Sequence, residues 1–448
     1  MTVTDTLQIN RYVLSDLSPA ERRRLLELRA QDNLETVEPT VRKVVEAVRS
    51  EGDAALVRFT AEFDRATVSA ADLRASEAEF DAAEKLVDDS LRTAIAQSIE
   101  NIRKHHRAQL PRAMWMEEVV PGVLAGERVT PIDSVGLYVP RGKGSFPSVM
   151  MMLCVPAIIA GVPEIVVCTP PGPDGTVDAA SLVTARMCGV TTVIKVGGAQ
   201  AIAAMAYGTE TVPKVDKILG PGNQYVTAAR RMLSGVVNPG PPAGPSESVV
   251  LCDGDADPLT TARELLVEAE HGEDSAVLLV TDSAELADAV IDLVPGLVAQ
   301  LPERRALNCT TVLSNYGGVV ITDTVAESVE FVNAYAPEHL RVLVRDPFEL
   351  LPSIVHAGEV LLGEYASIPY GNFAIGVNAI LPTGRNARTY SCMGVEELMK
   401  RSSFAYVSEA GARRIGPAAV KLASYEGFPA HEAAARHVLD RIAGDGDS

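Results

Sequence analysis

The sequence predicts an α/β protein: two tandem Rossmann-like doubly wound units, preceded by a helical N-terminal region and followed by a small helical C-terminal domain. Three observations predict it. The chain has 448 residues, more than one hydrophobic core holds, since cores stop growing near roughly 250–300 residues. From Val135 onward, short runs rich in β-forming residues alternate with stretches of helical texture, the pattern of a parallel sheet with helical crossovers. That alternation occurs twice, on either side of a Pro/Gly-rich run at 238–245 that reads as a linker. The expected domains are a helical region 1–120, a first Rossmann-like unit 121–240, a second 241–384 and a helical domain 385–448.

In chain order, Ser18-Pro-Ala-Glu21 supplies an N-cap, a proline at the first helical position and a capping-box acid, so a helix should begin there and carry Leu25, Leu26 and Leu28. Helical runs follow at 39–50, 53–63 and 77–109, where Pro111 stops the pattern. The first alternation places strands at 136–139, 165–168, 192–195 and 217–219, with helices at 148–160, 179–188, 199–207 and 225–233. The second places strands at 249–251, 277–280, 311–313, 319–321 and 360–362, with helices at 258–271, 284–293 and 326–335. Beyond Pro382 the texture is helical again, and the polar tail 444–448 is expected to be disordered.

Forty Lys+Arg against 59 Asp+Glu give a formal charge of −19, which argues against a nucleic-acid footprint or an anionic membrane surface. No apolar run approaches the roughly 20 residues of a membrane span, and Met1-Thr-Val-Thr-Asp-Thr6 lacks the basic-then-apolar order of a signal peptide, so the expected location is cytoplasmic. The six cysteines include no CxxC pair, which argues against a cysteine zinc site.

Chemistry concentrates around the seven histidines, three of which stand in carboxylate company: Glu268 with His271, Glu338 with His339, and Glu426 with His431. Together they point to an enzyme with a zinc site and a separate acid/base pair. Glu268 and His271, three apart on an expected helix, share one face where a metal can bridge them, although such a pair also occurs as a plain solvated face. Gly197-Gly-Ala-Gln200 and Gly220-Pro-Gly-Asn223 each follow a strand and open a helix, which suits either a phosphate or an ordinary structural turn. Arg141-Gly-Lys143 lacks the spacing of an ATP-binding loop and is either two ligand-facing cations at a strand end or a solvated loop. Ser246, in Gly244-Pro-Ser-Glu-Ser248 ahead of a strand, does not match a serine-hydrolase elbow.

These motifs occur in an order that resembles one family. Gly136-Leu-Tyr138-Val-Pro140, Val196-Gly-Gly-Ala-Gln200, Gly220-Pro-Gly-Asn223, Ala243-Gly-Pro-Ser246-Glu247, Ala269-Glu-His271-Gly-Glu-Asp274, Asn333-Ala-Tyr-Ala-Pro-Glu338-His339 and Asn378-Ala-Ile-Leu-Pro-Thr383 resemble the histidinol dehydrogenases over nearly the whole chain. The resemblance implies a zinc- and NAD-dependent enzyme that takes a primary alcohol through a bound aldehyde to a carboxylate, in histidine biosynthesis L-histidinol to L-histidine. It implies NAD contacts at Tyr138, Gln200 and Asn223, substrate contacts at Ser246 and Glu426, and zinc ligands at Glu268, His271, Asn372 and His431, which also border the substrate. Glu338 and His339 match the acid/base pair, His339 deprotonating the alcohol and Glu338 activating water at the aldehyde stage. It further implies a domain-swapped homodimer, with Glu426 and His431 lent by the partner copy.

Three positions depart from the family pattern. Glu268 replaces a glutamine and Asn372 an aspartate, an exchange that conserves ligand charge, while Ala379 replaces a histidine. Arg141 and Lys143 stand where a plainer Pro-Gly-Gly loop is usual. These departures leave room for a paralogue acting on another polar amino alcohol or an anionic diol. A zinc hydrolase using Glu338, or a non-catalytic zinc-binding protein, is the alternative from another class.

Overall fold

The computed structural model describes residues 7–29, 34–141, 144–242 and 244–444. Lys143 and the tail beyond Gly444 lie outside the described residues. Its strands are β1 (Arg11–Val13), β2 (Met114–Val120), β3 (Val123–Pro131), β4 (Ser134–Tyr138), β5 (Glu164–Cys168), β6 (Val193–Ile194), β7 (Lys217–Leu219), β8 (Glu247–Cys252), β9 (Ala276–Thr281), β10 (Gly317–Ile321), β11 (His339–Leu343), β12 (Glu359–Leu362) and β13 (Met399–Val407). The chain divides into two compact units, Met1–Gln109 with Asp133–Leu398, and Leu110–Ile132 with Met399–Ser448.

The larger unit holds two parallel sheets, of order β6-β5-β4-β7 and β1-β10-β9-β8-β11-β12. Both expected Rossmann-like alternations are therefore present, with helical ends to the chain. Every residue of β4, β8, β9, β10 and β11 is buried, the signature of strands covered by helices on both faces. One core lines the four-stranded sheet, centred on Val166, Ile194, Ile202 and Ile218. Two others lie against the six-stranded sheet, around Leu265 and Leu279 and around Val249 and Leu340. No described helix is long and apolar enough to cross a membrane.

Several expectations are corrected. The helix expected over 77–109 is two helices, Glu77–Leu86 and Asp89–Ala108, because Asp88 sits in an extended conformation and accepts from the amide of Leu91 as an N-cap. The strand expected at 311–313 is the end of a helix, Glu303–Asn315. Its buried Ala306, Cys309, Val312 and Leu313 recur at helical spacing, and the short apolar run hid that period. The three-residue β1 pairs in parallel with β10 and is too short to leave a pattern. The run at 238–245 is no free linker: Asn238 bridges Lys217, and buried Arg230 donates to the carbonyls of Gly220, Pro239 and Pro241.

The smaller unit is an antiparallel sheet, β13-β3-β2, with helices Glu409–Tyr425 and Pro429–Gly444 packed on each other. The expectation of helix throughout the region after Pro382 misses β13. Its start, Met399-Lys-Arg-Ser-Ser403, is largely exposed and polar, so only the register with β3 makes it a strand.

Candidate active site

Parallel pairing aligns the first residues of three neighbouring strands of the six-stranded sheet. β11 lies between β8 and β12, and His339 is opposite both Ser248 and Glu359. Glu247, His339 and Glu359 therefore open their strands along one amino edge. The chain enters β11 through a tight turn: helix Val325–Tyr335 ends at Ala336, which is buried and left-handed at φ 54°, and Pro337 follows. Only Gly and occasionally Asn or Asp visit that region cheaply, so Ala336 holds a strained conformation in place. The helix Pro258–Ala269 crosses over between parallel β8 and β9 and must run back against them, which returns its last turn, with Glu268, to the same edge.

Glu268 is fully buried, and its Oε2 lies 2.8 Å from Nδ1 of half-exposed His271. The same nitrogen is 3.0 Å from Oγ of Ser246. Asn372 donates from Nδ2 to Oε1 of Glu268 at 3.2 Å. Nε2 of His339 lies 3.9 Å from Glu268 Oε1 and 4.0 Å from Glu338 Oε1, while its Nδ1 is 2.8 Å from Glu359 Oε2. Glu338 is held in turn by the amide of Glu247, which donates to its Oε2 at 2.8 Å. Glu268, His271, Asn372, Ser246, Glu338 and His339, far apart in sequence, thus form one cluster.

Its electrostatics follow from burying several carboxylates around two imidazoles. Burial alone pushes Glu268 upward, but His271 and His339 outweigh it and bring the carboxyl down to about 2. Glu338 is pushed up to about 8, by burial first, with His339 opposing and Glu268 adding. Burial works against a charged His339, yet Glu268, the Glu359 hydrogen bond and Glu338 raise it to about 10. His271 is likewise raised by Glu268 against burial.

This excess of negative charge suits a cation. Among the described residues no three His, Cys, Asp or Glu side chains form a ready metal cage. Glu268, His271 and Asn372 nevertheless offer carboxylate oxygen, imidazole nitrogen and amide oxygen side by side, and Oδ1 of Asn372 is buried without a hydrogen-bond partner. That donor set fits zinc and is one ligand short of four. The remaining sequence candidates belong to the smaller unit. Glu426 caps helix Glu409–Tyr425, and His431 lies in the first turn of Pro429–Gly444 with its ring 5.2 Å from that of Phe428; both are exposed.

Tyr138 ends β4, and Gln200 and Asn223 follow β6 and β7, so all three stand at the carboxyl edge of the other sheet. Strand order reverses at β4, which has β5 on one side and β7 on the other, and such switch points are where α/β sheets bind ligands. Gly198 donates its amide to the Tyr138 hydroxyl at 3.0 Å. Gly220, at φ 122°, brings its backbone so close to Tyr138 that a Cβ would lie 2.1 Å from the Tyr138 carbonyl oxygen. Asn223 Oδ1 accepts from the amides of Tyr225 and Val226 and caps the helix Gln224–Met232. Gln200 is 1% exposed, and neither its Oε1 nor its Nε2 has a partner. A buried amide without partners fits a site whose ligand supplies them.

Arg141 is more engaged than a free ligand-facing cation. It donates to the carbonyl of Thr176 at 3.1 Å, and its charge acts on Asp64 and Asp174. Sequence reasoning passed over Glu359, Glu247 and Asp64. Glu359 and Asp64 are unremarkable acids locally; the available signals were that Glu247 closes the Ala243-Gly-Pro-Ser246-Glu247 motif and that Glu247 and Glu359 open β-rich runs.

Comparison with known proteins bears on this arrangement. A family model for histidinol dehydrogenase matches residues 27–439. The histidinol dehydrogenase of Synechocystis sp. is 51% identical over 423 residues, which cover 94% of this chain and 97% of that protein. A histidinol dehydrogenase homolog of Rhizobium meliloti is 50% identical over 430 residues, 96% of this chain and 94% of the relative. The crystal structure of histidinol dehydrogenase from Elizabethkingia anophelis matches with a TM-score of 0.91 at 35% identity, covering 98% of this chain and 99% of that one.

Proposed function

The chain belongs to the histidinol dehydrogenase family, and we propose that it oxidises the primary alcohol of L-histidinol through the aldehyde to the carboxylate, as a homodimer with zinc and NAD bound. The observation that carries this is the convergence of buried Glu338, His339 and Glu268 with His271 and Asn372 in one cluster.

Glu268, His271 and Asn372 would hold zinc, with His431 from a partner copy as the fourth ligand. When bound, zinc supplies a fixed positive charge that orients the substrate's alcohol and amine. With Glu268 committed to a cation, His339 loses the charge that does most to keep it protonated. Glu359 then fixes the ring through Nδ1 and leaves Nε2 to take the alcohol proton. Tyr138, Gln200 and Asn223 would hold NAD, whose chemistry when bound is to accept the hydride. Glu338 serves the second stage: burial raises it to about 8, and a base whose pKa lies near the working pH is suited to take a proton from the water that adds to the aldehyde. Ser246, beside His271, would contact substrate, as would Glu426 of the partner copy.

Ala379 favours a second reading, because it places a methyl group where the family resemblance implies an imidazole: another polar amino alcohol or an anionic diol as the physiological substrate. Zinc-loaded enzyme assayed for NAD reduction against L-histidinol, other amino alcohols and sulfonated or phosphorylated diols separates the two. Turnover of L-histidinol with the highest kcat/KM, lost on chelation, is the expected result. Preference for a diol favours the second reading, and no NAD reduction with any alcohol contradicts both.

A further inference from the structure

Arg29 lies outside the site in sequence and has no part in the chemistry above. The structure nevertheless places its guanidinium against the turn that leads into the acid/base pair and against the start of the strand whose amide holds Glu338. On one side, Nε is 2.9 Å from Oε2 of Glu247, the first residue of β8. Both side chains are largely buried, 11% and 4% exposed. On the other side, Nη2 donates to the carbonyl of Tyr335 at 2.7 Å, and the guanidinium carbon lies over the Tyr335 ring, 3.7 Å from its centroid. Tyr335 is the last helical residue before left-handed Ala336, three positions ahead of Glu338. Glu247 is the residue whose amide holds the Glu338 carboxylate, and its own Oε1 accepts from the amide of Gly384.

Resting on the role assigned above to Glu338, we propose that Arg29 is a positioning residue for the acid/base pair: it clamps the Tyr335–Glu338 turn to the start of β8, so that Glu338 is held on the Glu247 amide in the position from which it takes the water proton. Three features support this over a purely structural ion pair. The guanidinium spans two segments, which a lysine ammonium cannot do with the same planar stacking and fork of donors. The turn it grips carries a strained non-glycine residue that relaxes if released. The charge it neutralises on Glu247 acts directly on Glu338, which a second, unpaired carboxylate would repel.

The test is a double-mutant cycle on the full-length, zinc-loaded enzyme, reading the alcohol and aldehyde half-reactions separately with L-histidinol and its aldehyde as probes. Arg29→Lys should slow aldehyde oxidation by about 10- to 100-fold, the scale of an ångström-sized misplacement, with KM for the aldehyde little changed. In a Glu338→Gln background the same substitution should cost nothing further, because there is no base left to position. An equal proportional loss in both backgrounds, or no loss in either, overturns the assignment. If Arg29→Lys does not fold, judged by its thermal melt, Glu247→Gln enters the cycle in its place with the same expected outcomes. Glu338→Gln alone keeps the two claims apart. A normal aldehyde step in that variant removes the water-activating role and the proposal with it, whereas an impaired step with additive losses removes only Arg29.

Discussion

Nδ1 of His339 lies 2.8 Å from Oε2 of Glu359, across the parallel pair β11 and β12. A carboxylate on one ring nitrogen fixes the tautomer and aims the other nitrogen at the reacting group. Glu359→Gln should therefore cut the alcohol step by on the order of 10²-fold, the lower end of what general base catalysis contributes, and leave zinc content unchanged. Stopped-flow measurement of the first NADH formed, with metal analysis on the same sample, checks this. An undiminished first turnover assigns His339's orientation to some other contact.

The exchanged residues Glu268 and Asn372 touch each other, Nδ2 to Oε1 at 3.2 Å. A lone carboxylate supplies negative charge that an amide cannot, so Glu268→Gln should weaken zinc retention against a chelator. Asn372→Asp should tighten it, and the double variant should recover much of what Glu268→Gln loses. Simple additivity, with no rescue, means that the two are not paired ligands.

Gln200 buries an amide with no partner, which costs the ligand-free fold about 1–3 kcal/mol. Gln200→Leu should consequently raise the melting temperature of the NAD-free protein while weakening NAD binding. Calorimetry and NAD titration read the two effects. A variant that is both less stable and normal in NAD affinity contradicts the assignment of Gln200 to the cofactor.

Asp64 is raised to about 6, by burial first, with Arg141 partly opposing. A carboxyl raised in the folded state binds more protons folded than unfolded, so stability falls as pH rises from its ordinary value of 3.8 through about 6. Asp64→Asn should accordingly melt above the parent at neutral pH, and the two should converge below about pH 4, where both states are protonated. Parallel melting curves that keep the same gap at every pH would rule out burial of this carboxyl as the cause.

The sequence makes some of this site legible and leaves the rest dark, for reasons that individual residues illustrate. Glu268 and His271 stand out because helical spacing puts them on one face, and Gly220 because a strand-to-helix turn with a close backbone approach admits little else. Both Rossmann-like alternations announce themselves through fully buried apolar strands. Glu359 does not, because its role exists only through the register that sets β12 beside β11. Arg29 reaches Glu247 and Tyr335 across more than two hundred residues of chain, a separation no local pattern reports. The strand Met399–Val407 is hidden for the opposite reason: it buries too little to show an apolar period.

The central claim is that one cluster carries an alcohol through two successive oxidations, and its most direct measurement is stoichiometric. A limiting amount of L-histidinol is consumed by zinc-loaded enzyme with excess NAD, and NADH, aldehyde and carboxylate are quantified at completion. Two NADH and one carboxylate for each alcohol, with no free aldehyde, is the result expected of Glu338 and His339 working in turn. One NADH for each alcohol, with aldehyde accumulating in solution, would contradict it.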